Sequence, residues 1–318
     1  MEPPYRSSRS FSTERGIFMS SAFFQQPPDT VSLWKYLRQL ERIHPSLQLF
    51  RGGRSACGRE IPVIGIGNLK KAVLFAGATH GQEWLTALLL ARFAEDFTAA
   101  WETDGELGDF SFSRLKSAKG LLLLPMLNPD GVEIACKGPS AAGEFRTLVE
   151  EIFRSNPARW QANARGVDLN HNFDANWGLL RAMEIEAGIT GPSPTRFGGP
   201  CPESEPETRA ILQLIAAFRP RRLYSFHSQG EEIFWEYDGI SVPQAENIAR
   251  ALSALSGYTL VSNSGLASHG GLKDWYIQAL RRPGFTIEIG KGENPLPIED
   301  LEPIYARLLP MLTAAVFL

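Results

Sequence analysis

Four apolar runs constrain this chain more than any other feature: "KAVLFAGATH" (71–80), "GLLLLPML" (120–127), "RLYSFHS" (222–228) and "GFTIEIG" (284–290). None alternates cleanly between apolar and polar residues, so each reads as a strand buried on both faces. Helical patterns lie between and around them. "EWLTALLLARFAEDF" (83–97), "ETRAILQLIAAF" (207–218), "PQAENIARALSAL" (243–255) and "IEDLEPIYARLLPMLTAAVF" (298–317) space their apolar residues for a helix. Upstream, "DTVSLWKYLRQLERIHPS" (29–46) is a further helix with Asp29 or Thr30 as N-cap, and "EIPVIGIG" (60–67) is a strand. "EIFWEY" (232–237) adds another strand, and "NPDG" (128–131) reads as a turn. Strands alternating with helices predict an α/β chain with a mixed, mostly parallel, doubly wound sheet and helices on both faces. The expected division is a flexible lead-in over 1–28 and one folded domain over 29–318.

Composition removes several function classes. The chain has 318 residues, 21% charged, with a formal net charge of −3, which gives no general attraction to nucleic acid. No apolar run reaches the roughly 20 residues of a membrane span. Cys57, Cys136 and Cys201 are odd in number and far apart, as expected of thiols in a reducing compartment, so a cytoplasmic location is expected. Arg6, Arg9 and Arg15 precede "GIFMSSAFF", but its serines interrupt the apolar core that an export signal needs.

In parallel sheets, sites form beyond the carboxyl ends of the strands. His80, Asn128, His227 and Glu288 sit at or just after such ends. His80 and Glu83 are three apart, hence neighbours on an incipient helical turn. Imidazole nitrogen and carboxylate oxygen are both zinc donors, and two histidines with one glutamate form a known catalytic ligand set. The chain has 5 histidines (44, 80, 171, 227 and 269), of which His227 follows a strongly apolar strand. On its own the His-x-x-Glu pair has a plain alternative as a surface or helix-capping feature.

The segments "HGQE", "NPDGV", "RGVDLNHNF", "SEPETRA", "FHSQG" and "FTIEIG" occur in the order found in the M14 family of zinc carboxypeptidase-like enzymes, which the chain resembles from about Gly53 onward. "CGREIPVIGIG" is also similar to the segment before the first zinc ligand of that family. "DWYIQALRRPGFTIEIGKGENPLP" most resembles the bacterial γ-D-glutamyl-diamino-acid endopeptidases, which cut peptidoglycan stem peptides.

The resemblance implies one zinc per chain, held by His80, Glu83 and His227, with Glu288 as general base. A carboxylate beside a metal-activated water takes its proton during attack and later hands it to the leaving amine. A plainer role for Glu288 is an ion pair with Arg281 or Arg282. Digestive members have an arginine after the tryptophan of "RWQANARGVDLN"; here that position is Gln161, so Arg165 is the candidate cation for the developing oxyanion. Asn170 and His171 occupy the positions of the asparagine–arginine pair that grips a free C-terminal carboxylate. Replacing the arginine fork by His171 argues against ordinary carboxypeptidase activity.

In "SNSGLASHGGLKDWY", Leu266 stands where digestive members have a tyrosine, and Lys273 falls at the base of the specificity pocket. A lysine there favours a substrate side chain ending in a carboxylate, as in diaminopimelate. His269 and Tyr276 are nearby candidates, whereas Pro206 and Glu207 read as a helix start.

The expected reaction is hydrolysis of the γ-D-glutamyl–diamino acid bond in muropeptides, with a peptide partner and no nucleic acid. Two alternatives stand beside it. One is a C-terminal metallocarboxypeptidase or N-acyl amino acid deacylase on the same fold. The other is a non-catalytic binding protein.

Overall fold

A computed structural model describes residues 22–113, 119–155, 159–261 and 269–318. Its strands are β1 (Leu47–Arg54), β2 (Glu60–Gly67), β3 (Ala72–Ala76), β4 (Glu106–Leu107), β5 (Phe110–Ser111), β6 (Gly120–Leu124), β7 (Leu223–His227), β8 (Glu232–Phe234), β9 (Thr259–Val261) and β10 (Gly284–Glu288). Eight of them form one sheet in the order β1-β2-β6-β3-β7-β10-β8-β9. The middle of the sheet, β6-β3-β7-β10, is parallel and consists of the four apolar runs. Antiparallel pairings of β2 with β6 and of β8 with β10 make the sheet mixed.

Because side chains alternate across a strand, each run feeds two cores. Val73 and Phe75, Leu121 and Leu123, and Tyr224 and Phe226 point into one. Ala72, Leu74 and Ala76, with Leu122, Leu124 and Leu223, point into the other. Each fully buried Leu or Phe contributes about 1.5–3 kcal/mol relative to exposure.

The first core is covered by α1 (Thr30–Ile43), α2 (Leu85–Thr103), α7 (Ala245–Ser256) and α9 (Leu301–Phe317). The second is covered by α6 (Pro206–Phe218) and α8 (Leu272–Leu280). The remaining helices are α3 (Pro129–Lys137), α4 (Arg146–Ser155) and α5 (Trp177–Glu186). Asp29 caps α1, its Oδ1 accepting from Ser32 N at 2.7 Å.

Three details differ from the sequence expectations. "NPDG" is the start of α3 rather than a free turn: Asn128 Oδ1 accepts from Gly131 N at 2.8 Å, and Pro129 opens the helix. Asparagine at the N-cap followed by proline is a helix start as much as a turn. The edge strand β1 escapes the pattern because Gly52 and Gly53 interrupt it, and the register shifts between Arg51 and Gly53. A Cβ on Gly53 would lie 2.6 Å from that of Ala210, so α6 packs directly on the strand backbone there. Finally, Phe23 and Phe24 are buried against Tyr36, so packed chain begins upstream of Asp29. The basic segment weighed as an export signal, through Ser21, lies outside the described residues.

Candidate active site

His80 follows β3 and precedes the tight turn Gly81–Glu83, which leads through Trp84 into α2. The turn is pinned by Gly81 N donating to Gln161 O at 3.0 Å and Gln82 N to Trp160 O at 2.9 Å. A side chain on Gly81 is excluded, since its Cβ would sit 2.2 Å from Gly131 O at the start of α3. The turn therefore faces Glu83 and His80 inward together. His227 ends β7 and pairs in parallel register with Glu288, the last residue of β10. The central strands thus deliver an imidazole and a carboxylate to the same edge.

The donors converge closely. His80 Nδ1 lies 2.8 Å from Glu83 Oε1, and His227 Nδ1 lies 3.0 Å from Glu83 Oε2. The two Nδ1 atoms are 3.3 Å apart. Ligand atoms of His80, Glu83 and His227 all lie within 4.8 Å of one another. Each imidazole has its outer nitrogen occupied: His80 Nε2 is 3.1 Å from Asp168 Oδ1, and His227 Nε2 is 3.1 Å from Ser225 Oγ. Outer partners of this kind orient metal-ligating histidines and leave the inner nitrogen for the ion. The donor set therefore fits a zinc site.

The charges reinforce one another. Burial opposes a charged His80, but Glu83 and Asp168 outweigh it and hold its pKa well above the ordinary value. Burial likewise raises Glu83, yet His80 and His227 win and bring it to about 2. Asp168 is depressed despite its burial, through His80, His171 and the Arg196 N–H. Glu288 goes the other way: burial, then Glu83 and Glu232, push its carboxyl well above the ordinary range, against His80. Its neighbours are His80, Glu83 and His227, and no arginine pairs with it among the described residues, so the plainer ion-pair role for Glu288 is not seen.

A cavity of about 450 Å³ opens in front of this edge and is lined by His80, Glu288, Asn170, His171 and Lys273 among others. The fold thus brings His80, Glu83, His227, Glu288, Asn170, His171 and Lys273 to one place, but not Arg165. Arg165 does not line the cavity; its guanidinium is 3.8 Å from Glu205 and over the Phe145 ring at 5.4 Å. Its charge faces Glu205 and the Phe145 ring rather than the cavity.

His171 Nδ1 is 2.8 Å from buried Glu184 and 3.1 Å from Arg196 O. Lys273 is 3% exposed, contacts Asp274 Oδ1 at 2.5 Å and donates to Glu236 O at 2.7 Å. It is a buried, paired lysine at the cavity wall rather than a surface one. His269 lines the cavity and bonds Tyr237, but Tyr276 is core, with its hydroxyl on Pro220 O. Leu266 lies outside the described residues. Pro206 opens α6 as expected of a helix start.

Three site residues do not stand out in the sequence. Asp168 sits in "GVDLN", and its place two residues before Asn170 is the available signal. Ser225 is hidden inside an apolar strand. Arg196, in the loop "SPTRFGG", also lines the cavity and carries no pattern of its own.

Comparison with known proteins agrees with this arrangement. The zinc carboxypeptidase family model matches residues 33–310. A γ-D-glutamyl-L-diamino acid endopeptidase of Lysinibacillus sphaericus is 33% identical over 92% of this chain and 73% of its own length. Thrombin-activatable fibrinolysis inhibitor shares the fold at a TM-score of 0.73 and 19% identity, over 94% of this chain and 76% of that one. The murein-tripeptide amidase MpaA of Escherichia coli O157 superposes at a TM-score of 0.51 with 21% identity, over 83% and 90% of the two chains. A family match over most of the chain, on a His–Glu–His cluster built at the sheet edge, shows that it belongs to the M14 zinc carboxypeptidase family of peptide-bond hydrolases.

Proposed function

We propose that the protein hydrolyses the amide between γ-D-glutamate and a diamino acid in peptidoglycan-derived peptides. His80, Glu83 and His227 would hold one zinc, and Glu288 would act as general base. The observation that carries the reading is Glu288 in register with His227, lining a cavity whose wall also holds the buried Lys273–Asp274 pair. The L. sphaericus relative, named for that bond, supports the choice of substrate.

Zinc, when bound, supplies the polarisation of the scissile carbonyl and brings the pKa of a bound water towards 7. The chain's own residues do the rest. Asp168 and Ser225 fix the imidazole orientations. Glu288, half-buried beside the donors, accepts the proton of the attacking water and returns it to the departing amine. Burial, with Glu83 and Glu232 nearby, raises the Glu288 carboxyl above the ordinary carboxylate range, which favours its accepting the proton. Lys273 faces a side-chain carboxylate of the diamino acid, and Asp274 its amine.

The test is a panel assay of the zinc-loaded protein. It includes L-Ala-γ-D-Glu-diaminopimelate, the corresponding α-linked isomer, N-acyl amino acids and C-terminal dipeptides. Release of free diaminopimelate from the γ-linked peptide alone is the expected result. Turnover confined to the dipeptides or N-acyl amino acids would replace this reading by exopeptidase or deacylase action.

A further inference from the structure

We propose that Glu207 is a positioning residue that works as a neutral carboxylic acid. It clamps the loop leading to Asp168 onto the start of α6, and its ionisation loosens the hold of Asp168 on His80. The proposal rests on His80 as a metal ligand and not on the identity of the substrate.

Glu207 does not line the cavity and is fully buried where several segments meet. Its Oε1 accepts from Ala56 N at 2.9 Å, in the turn between β1 and β2. Its Oε2 lies 3.2 Å from Asn163 Nδ2, in the loop before Asp168. The same Nδ2 donates to Glu205 Oε2 at 2.8 Å, so two carboxyl groups share one amide. A third buried acid, Asp130 of α3, accepts from Cys57 N at 2.7 Å in the β1–β2 turn. The cations facing the cluster are Arg59 from that turn and Arg165 from the Asn163 loop. Arg59 Nη1 is 2.6 Å from Asp130 Oδ1, and Arg165 Nη1 is 3.8 Å from Glu205 Oε2. Among the described residues, no cation pairs with Glu207. Cys57 adds no charge, because burial and Asp130 push its thiol up to about 12. Three buried carboxyl groups therefore face two guanidinium groups, and a buried carboxylate without a partner takes up a proton instead.

Two influences oppose that proton. Glu207 stands in the first turn of α6, where the helix dipole favours a negative charge, and the Ala56 N–H does the same. Burial outweighs them and, with Asp130 and Glu205, pushes the carboxyl up to about 8. Asn163 carries the effect towards the metal site. Its Oδ1 accepts from Arg165 N at 3.0 Å and from Val167 N at 3.2 Å, and its own N–H donates to Val167 O at 2.8 Å. These bonds close the loop 163–167. The next residue, Asp168, holds His80 Nε2 at 3.1 Å. A neutral Glu207 leaves the clamp on Asn163 intact. An ionised one is repelled by Glu205 and Asp130, and the segments that meet there are driven apart.

The test compares the zinc-loaded parent with Glu207→Gln, a neutral isostere, and with Glu207→Ala, which removes the clamp. The first readout is the carbonyl stretch of a protonated carboxylic acid in the infrared difference spectrum, parent minus Glu207→Gln. It should be present at about pH 6.5 and gone by about pH 9.5, on either side of a carboxyl at about 8. The second is unfolding in urea. The folded carboxyl ionises at about 8 and the unfolded one at its ordinary 4.5, so the stability this group contributes is lost as pH rises between them. The unfolding constant of the parent should rise relative to Glu207→Gln by up to about tenfold per pH unit in that window and level off above it. The third is zinc release to a chelator. Parent and Glu207→Gln should match at about pH 6.5, and the parent should release about tenfold faster at about pH 9.5, the size of a lost outer partner of a metal ligand. Glu207→Ala should release faster at both; if it does not fold, the comparison of parent with Glu207→Gln decides alone. No carbonyl band, or a stability ratio that does not move with pH, means an ionised Glu207 and overturns the proposal. Rapid zinc release by Glu207→Gln at pH 6.5 also overturns it, since a neutral group would then not suffice. A band with zinc release alike in parent and variants leaves a buried acid with no hold on His80, which overturns the positioning role. None of these readouts involves substrate, so failure of the proposed reaction and failure of this proposal are told apart.

Discussion

The two sides of the cavity are built differently. On one side, His80, His227 and Glu288 stand at or just after the ends of β3, β7 and β10, and the hydrogen-bonded register of those strands sets their spacing. The two histidines bond Glu83 between them and are backed by Asp168 and Ser225. On the other side, Asn170, His171, Arg196 and Lys273 come from a short turn, a loop and the first turn of α8. There His171 bonds buried Glu184 behind it, Lys273 pairs with Asp274 within the wall, and Asn170 Oδ1 accepts from Leu272 N. A sheet register tolerates no slip, because one residue of shift sends every side chain to the opposite face. Loops accept substitution without that penalty. On the proposed reading, the reaction is tied to the fold and the substrate preference to the loops.

The largest expected effect breaks the first side outright. His80→Ala removes one of three donors and should lose most of the zinc, with activity falling to background. Metal analysis of the purified variant checks it; full zinc occupancy would take His80 out of the ligand set. The loop side should be untouched, so near-ultraviolet circular dichroism is expected to match the parent.

Next in size is Glu288→Gln, which separates chemistry from metal binding within the same side. Zinc content should stay at the parent level while kcat falls by about 10²–10⁴-fold, or about 3–5 kcal/mol of barrier. The pH profile sharpens the point. The base works ionised, so kcat/KM of the parent should fall as pH drops through the Glu288 pKa. Burial, Glu83 and Glu232 move that limb upward, and a bound divalent cation moves it back down. The variant should lack the limb. A limb that persists unchanged would assign it to another group.

The same contrast explains which parts of the molecule are legible in the amino-acid sequence. The central strands are legible because an unbroken apolar run has few other uses in a chain of ordinary polarity. His80, His227 and Glu288 are legible because they interrupt or end such runs. Asp168 is half legible: its segment carries a familiar motif, but its bond to His80 joins residues 88 apart in sequence. Arg165 draws attention by its nearness to Trp160 along the chain, and the fold instead turns it to Glu205 and Phe145. Arg196 has no signal at all. Its place at the cavity arises only when the loop carrying it is laid across Asp168, a long-range contact that no local pattern encodes. The start of α3 and the strand β1 are obscured for local reasons, an Asn-Pro pair that serves both turns and helices and a pair of glycines in an edge strand.

The smallest expected effect tests whether the loop side recognises substrate or only holds itself together. Lys273 and Asp274 are both nearly buried, and such a pair gives no assurance of net stability. Burial alone pushes the Asp274 carboxyl upward and Lys273 pulls it back, so the aspartate can become neutral when its partner is removed. That limits the folding cost of Lys273→Met, which also keeps the volume of the lysine stem. A diaminopimelate side chain ends in one ammonium and one carboxylate. On binding, Lys273 can turn to the carboxylate and Asp274 to the ammonium, so four charges remain paired. Lysine as the diamino acid lacks the carboxylate and should gain little from Lys273. Lys273→Met is therefore expected to lower kcat/KM about ten- to a hundredfold, or about 1.5–3 kcal/mol, on the diaminopimelate peptide, and much less on the lysine peptide. Kinetics on the two peptides, alongside thermal unfolding of the same preparations, decide it. Equal losses on both, with a lowered Tm, would make the pair a packing element and leave recognition on this wall to Asn170, His171 and Arg196.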